Sequence, residues 1–189
     1  MSGVVNGWFD YSARRVFGLI CLACIALLAF GMYLQHVDGL VPCPMCIVQR
    51  YALMVVAFIA GLSALSRKRG VHLVGGLLML ASAGFGAFVA ARQSWLQWYP
   101  PEVATCGRDL YGMIENFPLQ RAIPMIFKGG GDCTVIDWTF LGGSIANWSF
   151  LCFLGIATVS VLLIWRSGNA VAHARLSSGR PAPSAPTSK

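Results

Sequence analysis

Four stretches of this chain, roughly Val16–Leu34, Ile47–Leu65, Leu73–Ala91 and Trp148–Trp165, are apolar over the length that a helix needs to cross a bilayer. A hydrocarbon core of about 30 Å takes about 20 residues in a helix. No water is available there for backbone N–H and C=O groups, so the run has to close its own hydrogen bonds, and a helix does this within one segment. Composition agrees, with 57% of the 189 residues apolar and 11% charged, a balance that favours a membrane protein over a soluble domain. The windows are rich in Leu, Val, Ala, Gly and Phe, and glycine suits close helix contacts in bilayers. The expected fold class is an all-α integral membrane protein: a four-helix transmembrane bundle with two outward loops that carry cysteine pairs. One domain is expected over residues 1–166, with a long outer loop over roughly 98–147. The Ser-, Pro-, Ala- and Arg-rich end, 167–189, reads as a disordered cytoplasmic tail.

The first window follows Arg14 and Arg15, as the core of a signal peptide would. Its apolar run is longer than a signal core and no A-x-A site follows, so it reads as the first spanning helix. Orientation comes from the basic residues. Arg14 and Arg15 precede the first window, Arg67, Lys68 and Arg69 fill the turn between the second and third, and Arg166, Arg175, Arg180 and Lys189 follow the fourth. All three groups belong on one side of a four-span protein, and the positive-inside rule makes that side cytoplasmic. The segment from Leu34 to Cys46 has neither Lys nor Arg and faces out with the long loop. Trp95, Trp98, Tyr99, Trp138 and Trp148 mark where that loop meets the interface. The net charge of +7 follows from this topology, and nucleic-acid binding is not expected.

Topology sorts the seven cysteines. Cys43, Cys46, Cys106 and Cys133 lie outside, where disulfides persist if the host is a Gram-negative bacterium. Four cysteines allow three pairings. Spacing makes Cys43 with Cys46 one natural pair and leaves Cys106 and Cys133 to close a loop of 26 residues. A zinc site from the four thiols is disfavoured, because the second pair lacks the short spacing of ribbons and fingers, and no metal is expected. Two inert staples are a plainer alternative. Against it, a disulfide across Cys43-Pro-Met-Cys46 closes so small a ring that it constrains the unfolded chain little. That spacing is more often redox-active. Cys46 opens the second helix, where unpaired N–H groups and the helix dipole favour a thiolate.

Arg50 lies one turn deeper on the same face. A permanent cation at the edge of the bilayer is costly, which marks it as functional unless it snorkels or binds a helix-end carbonyl. Beside a membrane-dissolved electron acceptor it would stabilise the negative charge that develops when a thiolate adds to a quinone carbonyl. Cys21 and Cys24, also a C-x-x-C, sit inside an unbroken apolar helix and read as packing residues, as does Cys152. His36 reads as an interfacial histidine.

The ordered segments LQHV, PCPMCIVQRYAL, LQWYPPEVATC, GGGDC and DWTFLG resemble the bacterial disulfide bond formation protein B (DsbB) family, from the first helix to the start of the fourth. The resemblance implies a membrane thiol:quinone oxidoreductase of the bacterial inner membrane that reoxidises a periplasmic DsbA-like thioredoxin-fold oxidase. Cys43 and Cys46 match the family's membrane-proximal redox pair, with Cys46 contacting a quinone, either ubiquinone or menaquinone. Cys106 and Cys133 match the pair that exchanges with the soluble partner, and Arg50 matches the quinone-site arginine. Gln93 takes a position where some members carry a quinone-binding histidine. Gln can donate a hydrogen bond to a carbonyl but does not titrate near neutral pH. The segment Phe117 to Phe127 is expected to lie on the membrane surface and to guide Cys133 to the first pair. The alternatives are a vitamin K epoxide reductase-like quinone dithiol enzyme, whose redox motif usually lies later in the bundle, and a non-catalytic scaffold with stapled loops.

Overall fold

The computed structural model describes residues 2–40, 42–100, 133–136 and 138–178, with side chains described over 13–40, 42–100, 133–136 and 138–168. Its helices are α1 (Ser2–His36), α2 (Pro44–Leu65), α3 (Arg69–Trp98) and α4 (Ile145–Ser178). Each contains a stretch long and apolar enough to cross a membrane: Ala13–His36, Pro44–Leu65, Arg69–Trp98 and Ile145–Gly168. The protein is a multi-pass helical membrane bundle.

Local chemistry sets the ends that matter. After α1, Gly39 takes a φ of 69° and the Leu40 N–H reaches back to the Leu34 carbonyl at 3.3 Å. Glycine enters that left-handed region without a Cβ penalty. Pro44 starts α2 at a position whose N–H has no helical partner in any case. Cys43, in extended backbone, caps the same turn, with its sulfur accepting the Cys46 N–H at 3.3 Å. At the other end of α2, Arg14 Nε donates to the Ala64 carbonyl at 2.8 Å. Arg14 thus satisfies an orphan helix-end acceptor.

Neighbouring helices run antiparallel and pack through small residues. Gly61 meets Cys21 between α1 and α2, Gly75 meets Ser63 between α2 and α3, and Gly76 and Gly86 meet Ile164 and Phe153 between α3 and α4. Phe17, Cys24, Val56, Ala60, Met79, Ala83 and Phe153 form the interior. Leu22, Phe58, Leu77, Phe88 and Leu162 face outward, where hydrocarbon rather than water surrounds a spanning helix. Hydroxyls inside the spans return to their own backbone: Thr158 Oγ1 donates to Leu154 O and Ser160 Oγ to Ile156 O, each at 2.8 Å. A Cβ added at Gly86 would run into the Phe153 ring. Gly86→Val is therefore expected to destabilise the bundle by about 1–3 kcal/mol through overpacking, read as a lower thermal midpoint in detergent.

Two features differ from the sequence reading. The chain was expected to leave helical structure at 167, but α4 continues to Ser178. The apolar span closes near there, yet the next residues contain no proline, and Ala170, Ala172, Ala174 and Leu176 favour helix. Inside the expected outer loop, Thr139–Phe140 (β1) and Gly143–Ser144 (β2) form an antiparallel hairpin. Leu141 and Gly142 turn it with φ of 50° and 79°, the two positive values of a type I′ turn. Trp148 Nε1 donates to the Phe140 carbonyl at 2.9 Å and ties the hairpin to α4.

Candidate active site

The first turn of α2 brings the Cys43 and Cys46 sulfurs within 2.8 Å of each other. Cys133, 90 positions further along, is buried in the same apolar cluster as Cys43, with Met45, Val89 and Leu96. Its side chain hydrogen-bonds Cys43. Cys43 is therefore the middle sulfur of three. Its thiol is pushed upward from the ordinary cysteine value by the Cys133 hydrogen bond, then by Cys46, then by burial, so it is held protonated when the site is reduced. Cys106 and the segment Phe117 to Phe127 lie outside the described residues.

From α3, Gln93 is buried against the dithiol. Its Nε2 lies 3.3 Å from Cys43 Sγ and 3.2 Å from Cys46 Sγ, as a donor to both. Its Oε1 accepts from Gln49 Nε2 at 2.7 Å. An amide taken out of water costs free energy unless its groups are paired, and here Gln49 and the sulfurs supply the partners. The sequence reading put Gln93 toward a cofactor; the residue does line the adjoining cavity, with its amide turned to the sulfurs.

That cavity, of about 580 Å³, opens beside the dithiol. Its walls are largely apolar: Leu27, Leu34, Leu53, Ile136 and Phe153, with Trp138, Phe140 and Trp148 near the hairpin. Cys46 and Arg50 share the wall formed by α2. Arg50 is the only charged group in the lining among the described residues. Its Nη1 donates to Gln35 Oε1 at 2.6 Å and its Nη2 to the Gly31 carbonyl at 3.0 Å. The guanidinium is thus anchored to α1, with no carboxylate among the described lining residues. Packed seams join α1 to α2, α2 to α3 and α3 to α4, whereas α1 and α4 share no comparable seam among the described residues. Both contribute to the cavity wall, as does the segment that carries Ile136, Trp138 and Phe140.

The remaining thiols and His36 stand apart from the dithiol. Cys24 is fully buried in the bundle interior and Cys21 packs against it. Cys152, expected to be a packing residue, lies on the cavity wall. His36 is exposed and its Nδ1 pairs with the Met32 carbonyl at 2.9 Å. Sequence reasoning missed Gln35, Gln49 and Gln97. Gln49 had a readable signal as an uncharged polar residue inside an apolar window, beside the arginine. Gln97 pairs with Ser144, which also accepts the Asn147 N–H and caps α4.

A family model described as disulfide bond formation protein DsbB matches residues 13–163. A disulfide bond formation protein B of Albidiferax ferrireducens is 70% identical over 163 residues, covering 86% of this chain and 94% of its own length. One from a Polaromonas species is 70% identical over 159 residues, covering 84% and 95%. A more distant one, from Aromatoleum aromaticum, is 49% identical over 161 residues, covering 84% and 96%.

Proposed function

The chain belongs to the disulfide bond formation protein B family, and on that footing we propose that it is a thiol:quinone oxidoreductase of the bacterial inner membrane. It reoxidises a periplasmic DsbA-like thioredoxin-fold oxidase and passes the electrons to ubiquinone or menaquinone. The orientation rests on the basic segments, which would put both termini in the cytoplasm and Cys43, Cys46, Cys106 and Cys133 in the periplasm. The single observation that carries the reading is the position of Cys43, between Cys133 on one side and Cys46, at the cavity, on the other.

In this mechanism a partner thiolate opens the Cys106–Cys133 disulfide and forms a mixed disulfide with Cys106. The freed Cys133 sulfur attacks Cys43, and Cys46 leaves as the thiolate. The partner's second thiol then resolves its bond to Cys106, and Cys106 returns to Cys133, releasing Cys43. The partner has lost two electrons and the Cys43–Cys46 pair has gained them. Cys46 is suited to be the leaving sulfur because Gln93 donates to it and it sits in the first turn of α2.

The residues present fit a quinone. The apolar walls suit its ring and tail, and the dithiol and the guanidinium share one wall. When bound, a quinone supplies a two-electron, two-proton acceptor that re-forms the Cys43–Cys46 disulfide. Arg50 would stabilise negative charge developing at a carbonyl oxygen beside Cys46, and the walls would exclude water.

The test is purified protein in detergent, given a reduced DsbA-like thioredoxin-fold protein and either a ubiquinone or a menaquinone analogue. One quinone reduced per partner dithiol oxidised is expected. Failure to reduce either quinone would overturn the reading.

A further inference from the structure

Gln93 can serve an anionic sulfur only while its N–H groups, and not its carbonyl, face the dithiol. A buried side-chain amide has both, and they exchange places by a half-turn of its last torsion. Two contacts compete for the Gln93 oxygen: Gln49 Nε2 at 2.7 Å and the Cys46 thiol at 3.7 Å. The first is short and lies between two side chains that are 3% and 4% exposed. The second would hold Cys46 in its protonated form.

We infer that Gln49 is a positioning residue for the dithiol: by donating to Gln93 Oε1 it leaves the Gln93 N–H groups for Cys43 and Cys46, and so favours the thiolate. This rests on Cys43–Cys46 being the redox pair. Flipping both amides together would keep their mutual hydrogen bond but would aim the Gln93 oxygen at the sulfurs. That arrangement becomes repulsive once one sulfur is anionic. Without Gln49, the buried oxygen has lost its partner, and an acceptor left so recruits the nearest donor, here the Cys46 S–H. The device contains no group that titrates near neutral pH, so the support it lends does not switch off across the physiological range. Gln49 reaches the sulfurs only through Gln93 in this arrangement, which makes the two side chains one unit rather than two independent aids.

The test uses the reduced full-length protein without quinone or partner. Alkylation of Cys46 by iodoacetamide at pH 7 is followed by site-resolved mass spectrometry, with the thermal midpoint measured alongside. Gln49→Met keeps length and apolar packing and is expected to slow alkylation about tenfold, as for a lost hydrogen bond to a charged group, with little change in midpoint. Gln49→Asn keeps the amide, falls a methylene short, and is expected to show a similar loss. Gln93→Met should match Gln49→Met, and the double variant should be no slower than Gln93→Met alone, because the effect of Gln49 passes through Gln93. Unchanged alkylation in the folded Gln49 variants, or additive losses in the double variant, would overturn the role. Because no quinone is involved, a failed quinone assay and a failed Gln49 assay remain distinct results.

Discussion

In a Cys46→Ser protein, quinone reduction is expected to fall by roughly a thousandfold or more, as for the loss of an attacking group, while a Cys43–Cys133 disulfide accumulates. The hydroxyl of serine cannot form a disulfide, so Cys43 loses the neighbour at 2.8 Å. Cys133 still hydrogen-bonds Cys43 from the other side. Electrons from the partner can then rearrange the outer sulfurs but find no route to the cavity. Non-reducing peptide mapping should identify the Cys43–Cys133 bond, and quinone absorbance should stay flat. Turnover near the wild-type rate in this variant would show that Cys46 is not the sulfur that faces the acceptor.

Arg50→Met is expected to lower quinone affinity or turnover by some tenfold to a hundredfold, from about 1.5–3 kcal/mol for a lost charged donor. Methionine is as good a helix former as arginine, so α2 should persist. The variant also loses the bonds to Gln35 and to the Gly31 carbonyl, so some loosening of α1 against α2 is expected. Two measurements separate these effects. Quinone saturation curves on folded protein report the charge at the cavity, and the thermal midpoint reports the α1 contact. Arg50→Lys should restore the first only in part, since it keeps the charge and loses the planar fork that spans two acceptors. Equal saturation curves with a lowered midpoint would reduce Arg50 to a structural tie.

Several parts of this site were legible in the chain because they depend on near neighbours. Cys43, Pro44 and Cys46 lie within four consecutive residues, so their place at the start of a helix follows from a residue with no N–H and a sulfur able to cap the turn. Arg50 stood out because a cation inside an apolar run is expensive wherever the helix packs. The anchoring of its guanidinium by a carbonyl of α1 was only one of the options. The hairpin was illegible: Leu141 holds a positive φ of 50°, and nothing in its local sequence carries the Asn-Gly signal of such turns.

The sequence by itself determined the four spans and the dithiol at the mouth of the second, because desolvation of charge and of backbone acts residue by residue along the chain. Only the tertiary structure decided that Cys133 meets Cys43, and that Gln49 of α2 meets Gln93 of α3. It also decided that all four helices contribute walls to one cavity beside the dithiol. The reason is that lipid is as apolar as a buried leucine, so hydrophobicity says which segments enter the bilayer but not which faces pair. That choice falls to close packing at Gly75, Gly76 and Gly86 and to polar groups that had to find partners, which no local pattern displays.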